Sequence, residues 1–545
     1  MQKKIFQYAL ENAVKYNGKA DLNAVLGKVF SEFKDIDKKK IVEEAKEVIK
    51  KVNSMPLENQ KEELKKLTPE KKEKPIKEKP KLPELEKPHK NVVMRFAPNP
   101  NGPLSLGHSR PALWNYLLVK KYKGKYILRF DDTDPKVKVP IKDAYKWIQE
   151  DLKFLGVNPD KIIIQSKRLK IYYKYAEELI KKDGAYVCTC EVNKWRKLTY
   201  NQTPCPCRKF PVNEQLERWK KMFTNYKEGE AVLRIKTDIS LSNPALRDWA
   251  AFRIADKSEH PLDKKSKVWP LLNFASAIDD HEFKVTHILR GIDLMSSDDK
   301  QRLLYNYFNW EYPKTMYHGK LLVSGIKSTT EARELIKEKK LTGWDDPRLG
   351  TLKALRRRGF TSEAITRLIK EAGIDKSDIN VSFDTLSSFN REVIDKKADR
   401  YFSVLNPEKI KIKKAPELKV KIEKHPDFPK KGYRVFNTNN EFYIEDKLEK
   451  NKMYRLMHLF NFKNNEFHSE EHKKELNAKL IHWLPVSKDL VNVEITMPDN
   501  SKARGLAEKG LKNTKINEII QFERKFFAKL EKKQKNKLNF IYSHR

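Results

Sequence analysis

Long hydrophobic runs are absent from this sequence of 545 residues. No apolar stretch reaches the roughly 18 residues that a membrane-spanning helix needs. The first residues, MQKKIFQYALENAVKYNGKA, are charged and polar and contain no apolar core of the kind that secretory signal peptides carry. We therefore expect a soluble, cytoplasmic protein with no segment that spans a membrane.

Cysteine is scarce. The chain has four cysteines, and they are arranged as the pairs CTC and CPC at Cys188, Cys190, Cys205 and Cys207. This usage argues against a disulfide-stabilised secreted fold and indicates a metal site or a local redox pair. Residues two apart in an extended chain project to the same side, so each pair can present two thiolates to one ion. Four soft ligands suit a tetrahedral structural zinc, and four reduced structural thiols are the alternative.

Acidic residues are outnumbered: the chain has 114 Lys and Arg against 75 Asp and Glu, a formal net charge of +39. A lysine-rich proteome is one explanation. The other is a polyanionic partner, because clustered cations release counterions from a phosphate backbone. Composition does not separate a nucleic acid from an anionic membrane, so local motifs must decide.

Segment composition predicts several domains. Apolar side chains recur at helical spacing over residues 1–53, which predicts a helical module. Residues 54–90 are almost wholly Lys, Glu and Pro, and we interpret them as an extended linker that cannot bury enough apolar surface to fold. Strand-like and helix-like segments alternate over 91–330, which predicts an α/β domain with a parallel sheet. Helices dominate 331–395, and short, evenly spaced strands over 396–545 predict one or two β-barrels.

One short stretch, RFAPNPNGPLSLGHSR at residues 95–110, reads as a strand, a turn and the start of a helix. Unpaired N–H groups and the dipole at a helix N-terminus can hold a phosphate. The stretch is neither a GxGxxG loop nor a Walker loop, which argues against dehydrogenases and P-loop NTPases. Taken alone it is a weak signal, because Pro/Gly turns before helices are common.

Five further motifs follow this stretch in order. They read LRFDDTDP, NPALRDWAAFRI, FASAIDDHEFKVTHILRGIDL, GWDDPRLGTLKALRRRG and NREVIDKKADRYF. Together they closely resemble class I glutamyl-tRNA synthetases of the archaeal and eukaryotic branch, with glutaminyl-tRNA synthetases as near relatives. The resemblance covers roughly residues 91–545, and the N-terminal NGKADLNAVLGKVF looks like the helical module attached to such enzymes.

This resemblance implies a multidomain class I synthetase. Its parts would be a Rossmann-like catalytic domain over 91–330 with an acceptor-stem-binding insertion at about 186–255, a helical stem-contact region over 331–395, and a C-terminal anticodon-binding domain of β-barrels over 396–545. The implied reaction activates L-glutamate with ATP and Mg²⁺ to an adenylate. The glutamyl group is then transferred to the 2′-OH of the terminal adenosine of tRNA(Glu), with tRNA(Gln) as a further candidate and an amidotransferase as a downstream partner.

The resemblance also implies an ATP site in two parts. The first signature, usually His-x-Gly-His, reads here Ser105-Leu106-Gly107-His108. Gly107 would allow close approach of the nucleotide, and His108 would donate to phosphate oxygens. Ser105 keeps a short donor but lacks the charge and reach of an imidazole, so we expect a working site with an altered chemical step.

The second signature, Lys-Met-Ser-Lys-Ser in many relatives, aligns with Lys327-Ser328-Thr329-Thr330. Thr329 falls where the second lysine would be. Lys327, or Lys320 as an alternative, would then supply positive charge to the phosphates, and a basic surface loop is the competing interpretation.

Substrate choice depends on charge, because a buried γ-carboxylate needs a cation. By resemblance, Arg95 faces the amino acid, Asp131 receives its ammonium group, and Arg290 occupies the position where glutamine enzymes carry a smaller neutral residue. Leu272 replaces a pocket tyrosine of many relatives, and we expect Trp269 to compensate. Glutamine–tRNA ligase and a catalytically inactive tRNA-binding protein are the alternatives. Arg290 and Asp134 argue against the first, whereas Ser105 and Thr329 keep the second open.

For the RNA, the basic run at Arg356, Arg357 and Arg358 is predicted to follow phosphates. The alternative is that these charges form a solvated face. Residues that read an anticodon cannot be derived from the sequence pattern, although splayed bases would need aromatic or arginine platforms.

Overall fold

The computed structural model describes residues 2–15, 18–32, 38–67, 82–86, 91–323 and 329–545. The chain divides into two compact units, 1–81 and 82–545. In the part of the chain that the structure describes, no helix combines the length and the apolar character needed to cross a membrane.

The first unit is helical. Its helices are α1 (Gln2–Lys15), α2 (Leu22–Glu32), α3 (Lys38–Asn53) and α4 (Leu57–Leu67). The side chains that recur at helical spacing, such as Ile5, Ala9, Val25, Val29 and Ala45, are buried together in one apolar core. The first three helices lie where the sequence spacing predicts helices.

Helix α4 corrects the interpretation of residues 54–90 as an extended linker. The side chain of Gln60 in α4 is fully buried, and its amide donates to the carbonyls of Val52 at 2.8 Å and Gly18 at 2.9 Å. These bonds satisfy a carbonyl at the end of α3 and another in the turn between α1 and α2. A polar sequence therefore folds here because its neighbours provide the buried surface.

The same interpretation is also wrong for residues 82–86, where Leu85 is buried in the apolar core of the larger unit. The remaining parts of the predicted linker, 68–81 and 87–90, lie outside the described residues.

In the larger unit, helices and strands alternate up to residue 396. The helices are α5 (Leu106–Lys121), α6 (Ala144–Phe154), α7 (Leu169–Lys181), α8 (Val192–Tyr200), α9 (Val212–Thr224), α10 (Leu272–Glu282), α11 (Met295–Phe308), α12 (Thr329–Lys337), α13 (Leu352–Arg358), α14 (Ser362–Ala372) and α15 (Phe383–Ile394). The strands are β1 (Val93–Phe96), β2 (Lys125–Phe130), β3 (Lys161–Ile164), β4 (Ala185–Cys188), β5 (Val232–Ile235), β6 (Ala250–Ile254), β7 (Val268–Pro270), β8 (His287–Gly291), β9 (Lys314–His318), β10 (Leu321–Val323) and β11 (Ile379–Val381).

A parallel sheet forms the centre of this part. Strands β1, β2 and β3 pair in the order β1-β2-β3, and β8 pairs with β9. The free side of β1 faces β8, where the Thr286 N–H donates to the Val93 carbonyl at 2.9 Å. The resulting order 3-2-1-8-9 is that of a doubly wound sheet, in which ligands bind beyond the carboxyl ends of the strands where the order reverses. The predicted Rossmann-like fold is confirmed.

The insertion after β3 forms a separate antiparallel sheet in the order β4-β5-β6-β7. Helices α7, α10 and α11 pack with it in one apolar core that contains Trp219, Trp249 and Trp269. The helical region after residue 330 has a small apolar cluster of its own between α12 and α13. Leu352, Leu368 and other residues of α13, α14 and α15 are buried in the same core as the parallel sheet.

From residue 398 the chain is rich in strands, as predicted. They are β12 (Arg400–Tyr401), β13 (Ser403–Leu405), β14 (Glu408–Lys411), β15 (Lys419–Glu423), β16 (Tyr433–Asn437), β17 (Glu441–Ile444), β18 (Met453–Leu456), β19 (Asn461–Lys463), β20 (Glu466–Ser469), β21 (Lys479–Ile481), β22 (Trp483–Pro485), β23 (Val491–Thr496), β24 (Lys502–Ala507), β25 (Ile519–Phe522), β26 (Phe526–Gln534) and β27 (Lys537–Tyr542). One sheet has the order β12-β25-β26-β27-β23-β24-β13, and smaller sheets have the orders β14-β17-β22, β15-β16 and β20-β19-β18-β21. They bury one apolar core around Trp483 and another around Phe540.

The basic run at the end of α13 joins the helical region to these strands. Arg358 is 6% exposed, and it donates to the carbonyls of Ser543 at 2.7 Å and Pro347 at 3.3 Å. Burial lowers the pKa of Arg358 to about 10, so the guanidinium stays charged at neutral pH. Arg357 is paired with Glu531 at 2.6 Å. The prediction that this run follows RNA phosphates is therefore wrong for Arg358, and Arg357 is occupied within the protein.

We expect Arg358→Ala to lower the free energy of unfolding of the larger unit by about 2–4 kcal/mol, because it leaves a cavity and two carbonyls without their donor. Urea denaturation followed by tryptophan fluorescence measures this change. Arg356→Ala is the matched control, since the neighbouring side chain is only half-buried, and a change within about 0.5 kcal/mol is expected. Equal effects of the two substitutions would contradict the assigned docking role of Arg358.

Candidate active site

A cavity of about 980 Å³ opens at the carboxyl ends of β1, β2 and β8, where the strand order reverses. Polar and charged side chains converge on it from these strand ends and from the start of α5. Of the residues singled out from the sequence, the cavity is lined by Arg95, Ser105, Gly107, His108, Asp131, Asp134, Leu272, Arg290 and Lys320.

The first signature begins α5. Ser105 is the N-cap, with its Oγ accepting the His108 N–H, while the Ser105 N–H donates to His108 Nδ1 at 3.1 Å. Because Nδ1 accepts this bond, the ring proton of the neutral imidazole lies on Nε2. Burial lowers the pKa of His108, which favours the neutral form. Serine at this position thus completes a reciprocal cap that fixes the histidine tautomer.

This helix start is also bonded to the helical region. The Leu106 N–H donates to the Gly350 carbonyl at 3.0 Å, and the Leu352 N–H donates to the Leu104 carbonyl at 2.7 Å. Pro111, which also lines the cavity, cannot donate to the Gly107 carbonyl as an ordinary helical residue would. The N-terminus of α5, where the helix dipole is positive, therefore faces the cavity and is held in place by these hydrogen bonds.

A network of buried charges forms one wall. Arg95 donates to both oxygens of Asp280 at 3.1 and 3.2 Å, and Arg129 donates to the same carboxylate at 2.6 Å. Arg129 also holds Asp131 through bonds of 2.6 and 3.2 Å. Burial disfavours the ionised form of Asp280, yet Arg95 and Arg129 together hold its pKa below the usual range. The four charges balance within the network.

Arg129 and Asp280 were not singled out from the sequence. Both interrupt strongly apolar segments, YILRF in β2 and FASAIDD in α10. A charged residue in the middle of a buried strand or helix face needs a partner, and that signal could have identified the pair.

Arg290 differs from Arg95 because its hydrogen bonding is incomplete. It is 6% exposed, and its Nη2 donates to Gln301 at 3.0 Å. The nearest paired carboxylate, Asp298, lies 3.9 Å from Nη1, and Nε is buried without a hydrogen-bond partner among the described residues. Burial and then the charge of Arg95 lower the pKa of Arg290.

Asp298 cannot complete the bonding of Arg290, because its carboxylate is already engaged. It accepts from the hydroxyls of Tyr312, Thr315 and Tyr317 at 2.7, 2.9 and 2.9 Å. The Arg290 guanidinium is therefore a buried cation that can still take an anionic ligand in the cavity.

The aspartates after β2 have separate roles. Asp132 is fully buried and accepts from Tyr145 and from both the N–H and the hydroxyl of Ser166 at 2.6, 2.8 and 2.7 Å. It supports the loop. Asp131 lines the cavity and also accepts from Ser276 at 3.1 Å.

The predicted aromatic wall is formed by a different tryptophan. Trp269 is fully buried in the insertion core, donates to the Ser266 carbonyl at 2.9 Å and does not line the cavity, so the expectation that it compensates for Leu272 is wrong. Leu272 is 44% exposed and lines the cavity at the start of α10. Trp249 lines it as well, and its position just before β6 gives no distinguishing sequence signal.

Of the second signature, Lys327 and Ser328 lie outside the described residues. Thr329 begins α12 beside Gly102 and is not among the lining residues of the cavity. Lys320, the alternative source of positive charge, does line it, and its N–H donates to Asp378 at 2.6 Å.

The four cysteine sulfurs meet at the end of β4. All four lie within 4.8 Å of one another. The Cys188–Cys205, Cys190–Cys205 and Cys190–Cys207 separations are 3.7, 3.5 and 3.8 Å, and the thiols are not joined by disulfides. A tetrahedron with metal–sulfur distances of about 2.3 Å has edges of about 3.8 Å, so this arrangement fits a zinc-sized ion.

Comparison with known proteins agrees with the geometry. The family model "tRNA synthetases class I (E and Q), catalytic domain" matches residues 91–396, and "tRNA synthetases class I (E and Q), anti-codon binding domain" matches residues 398–481. A glutamate–tRNA ligase from Pyrococcus furiosus is 46% identical over 576 residues, one from Methanocaldococcus jannaschii 43% over 561, and one from Methanosphaera stadtmanae 40% over 565, each covering 100% of both chains. The doubly wound sheet, the helix N-terminus at the cavity and the strand-rich C-terminal region are all consistent with these family models. The chain belongs to the class I tRNA synthetases of the glutamate and glutamine (E and Q) family.

Proposed function

We propose that this protein is a glutamate–tRNA ligase that joins L-glutamate to tRNA(Glu) at the expense of ATP. The observation that carries the choice of amino acid is Arg290, a buried guanidinium on the cavity wall with an unmet donor, whose paired carboxylate, Asp298, is 3.9 Å away and already engaged by three hydroxyls. An unpaired buried charge is costly, so a ligand carboxylate that completes it is strongly favoured over a neutral amide. Relatives that match over their full length and are named glutamate–tRNA ligases support the same choice.

The other cations of the cavity leave Arg290 as the best partner for the γ-carboxylate. Arg95 and Arg129 are committed to Asp280 and Asp131, and their four charges cancel. Within this arrangement Asp131 would contact the ammonium group of the amino acid, and Arg95 would face its α-carboxylate. A glutamine amide at Arg290 would provide a carbonyl acceptor but no compensating charge.

For activation, an oxygen of the glutamate α-carboxylate forms a bond to the α-phosphorus of ATP, and the bond from that phosphorus to the pyrophosphate oxygen breaks. The Gly107 N–H in the first turn of α5 and the Nε2–H of His108 would donate to the phosphate oxygens, and Lys320 would add positive charge on the opposite wall. Mg²⁺, when bound, would neutralise phosphate charge and be held mainly through phosphate oxygens. In the second step the 2′-OH of the terminal adenosine attacks the activated carbonyl, and AMP leaves.

The RNA partner follows from the family and from the charge of the chain. We propose that the strand-rich C-terminal region binds the anticodon, that Arg356 contacts the RNA backbone, and that the protein acts in the cytoplasm. Charging of tRNA(Gln) as well, with transfer of the misacylated product to an amidotransferase, is part of this proposal.

We also propose that Cys188, Cys190, Cys205 and Cys207 bind a structural zinc. The tetrahedral spacing of the sulfurs supports it. The ion would link β4 to the turn at Pro206–Lys209 and so stiffen the insertion next to the cavity.

The function is tested by aminoacylation with labelled glutamate and, separately, glutamine on transcripts of tRNA(Glu) and tRNA(Gln). We expect glutamate on tRNA(Glu), and glutamate on tRNA(Gln) if the enzyme is non-discriminating. Transfer of glutamine would overturn the role of Arg290. No transfer of either amino acid, with tRNA still bound, would mean an inactive tRNA-binding protein.

Arg290→Ala is expected to lower kcat/KM for glutamate by about 150- to 5000-fold, because loss of a buried partner charge costs about 3–5 kcal/mol and each 1.36 kcal/mol is tenfold. Pyrophosphate exchange in the presence of tRNA measures it, with the KM for ATP staying within about twofold. Arg302→Ala is the matched control, because this arginine binds the same Asp298 at 3.1 Å from a side chain that is 48% exposed. Near-normal glutamate kinetics in Arg290→Ala would refute the assignment.

Protein purified without chelators should contain about one zinc per chain, as expected for one four-cysteine site. Mass spectrometry of metals measures it, and Cys205→Ser should lose most of the zinc. Thr189→Ser is the control, since it lies between two of the cysteines and leaves all four thiols in place. A chain that stays free of zinc even after zinc is added would favour four reduced structural thiols.

A further inference from the structure

Arg110 lies two residues after His108 on α5, and the proposed function does not use it. It is fully buried, and no acidic side chain within salt-bridge distance of it is found among the described residues. Its guanidinium instead donates to backbone carbonyls on two other segments. One is Gly319, just after β9, and the other is Gly373, at the end of α14.

These bonds use nitrogen donors on both sides of the guanidinium. Nη1 donates to the Gly319 carbonyl at 2.7 Å, and Nε and Nη2 donate to the Gly373 carbonyl at 3.1 and 3.0 Å. Nη2 also lies 3.5 Å from the Asp375 carbonyl. An arginine can serve such a fork because its donors are fixed in one plane, whereas lysine offers a single charged point.

The two segments are also joined to each other. The Gly319 N–H donates to the Asp375 carbonyl at 2.7 Å, and the Ile379 N–H donates to the Lys320 carbonyl at 2.9 Å. From there β10 runs parallel to β11, with Leu321 opposite Ile379. Strand β10 is therefore hydrogen-bonded to the helical region rather than to the central parallel sheet.

Gly319 is required for this close approach. A Cβ at this position would lie 2.0 Å from the Ser377 carbonyl oxygen and 2.2 Å from its carbon. Both neighbours are backbone atoms, so a larger residue must push β10 away from residues 373–381.

Strand β10 forms part of the nucleotide side of the cavity. His318, Lys320, Leu321 and Leu322 line the cavity, and the Leu321 carbonyl lies 3.5 Å from where a Cβ on Gly107 would be. Arg110 therefore connects the first signature, on its own helix, to the wall that faces it. Residues that hold the amino-acid side, on β1, β2 and β8, are not bonded to Arg110.

We propose that Arg110 is a positioning residue for ATP: it fixes the Gly319–Leu322 wall at its distance from the start of α5 by clamping Gly319 to the end of α14. The inference rests on the proposed function. The position of the ATP-facing wall is set by the contact between the catalytic and helical regions, and Arg110 is the side chain that closes this contact.

The test is pyrophosphate exchange at saturating tRNA with Arg110→Met, Arg110→Lys and Gly319→Ala. Arg110→Met removes the donors that hold Gly319, and the methyl group of Gly319→Ala forces this segment away from Ser377. We expect either change to raise the KM for ATP about tenfold, which corresponds to weakening one charge-assisted hydrogen bond between the displaced wall and ATP. The KM for glutamate should stay within about twofold, and Arg110→Lys should lie between the wild type and Arg110→Met. A KM does not depend on the fraction of active protein, so partial unfolding of a variant does not imitate this split.

The double variant Arg110→Met with Gly319→Ala adds a second criterion. Because both substitutions release the same contact, their combined effect on the KM for ATP should be no larger than that of the stronger single variant. Arg455→Met is the matched control. Arg455 is also buried and donates to backbone carbonyls, those of Leu459, Glu470 and Glu471, but it lies on β18 away from the cavity, and it should leave the KM for ATP unchanged.

An unchanged KM for ATP in both Arg110→Met and Gly319→Ala would overturn the proposal, and so would a parallel rise in both KM values. Additive effects in the double variant would overturn it as well. These outcomes are distinct from failure of the proposed function, which would show as an absence of glutamate-dependent exchange in the wild-type protein.

Discussion

The alternating arrangement of Arg95, Asp280, Arg129 and Asp131 is the interaction on which the site depends. Two guanidinium groups and two carboxylates are buried at the carboxyl end of the parallel sheet, and each is stable there only because the others are present. The network links β1, β2 and α10, the elements that form the amino-acid side of the cavity. Its charges cancel at close contact, whereas Arg290 lies 3.9 Å from its paired carboxylate, Asp298, and keeps an unmet donor.

The order of elements and the class of fold could be predicted from the sequence, because hydrophobic periodicity and turn residues are local signals. The cavity residues Arg95, His108, Asp131 and Arg290 could also be predicted, because they belong to motifs that resemble those of the synthetase family. Contacts between distant segments could not be predicted in this way. Nothing in the run of three arginines distinguishes Arg356, at the surface, from Arg358, which is buried against Ser543. Trp269 and Trp249 are likewise equivalent as sequence, and only the packing of the insertion decides which one lines the cavity.

The altered first signature has a structural explanation. A histidine at position 105 would place a ring where Ser105 now caps α5 and accepts the His108 N–H. The Ser105 hydroxyl caps the helix in place of a second imidazole, and the backbone N–H of the same residue holds His108 in one tautomer, with the Nε2 proton available. Amino-acid composition alone also failed to predict α4 within residues 54–90. This helix folds because Gln60 donates to carbonyls of neighbouring elements, and such long-range bonds cannot be deduced from the content of lysine and proline.

The hydrogen bonds between residues 319–323 and residues 373–381 have a consequence for biosynthesis. The ribosome delivers β1 and α5 long before α14 and β11, and the start of α5 must also wait for Gly350 and Leu352 to supply its hydrogen bonds. Arg358 in turn is satisfied only when Ser543, close to the end of the chain, has been made. A nascent chain that stops after the central sheet thus presents an unfinished cavity, and the complete cavity can assemble only after residue 381 has been made.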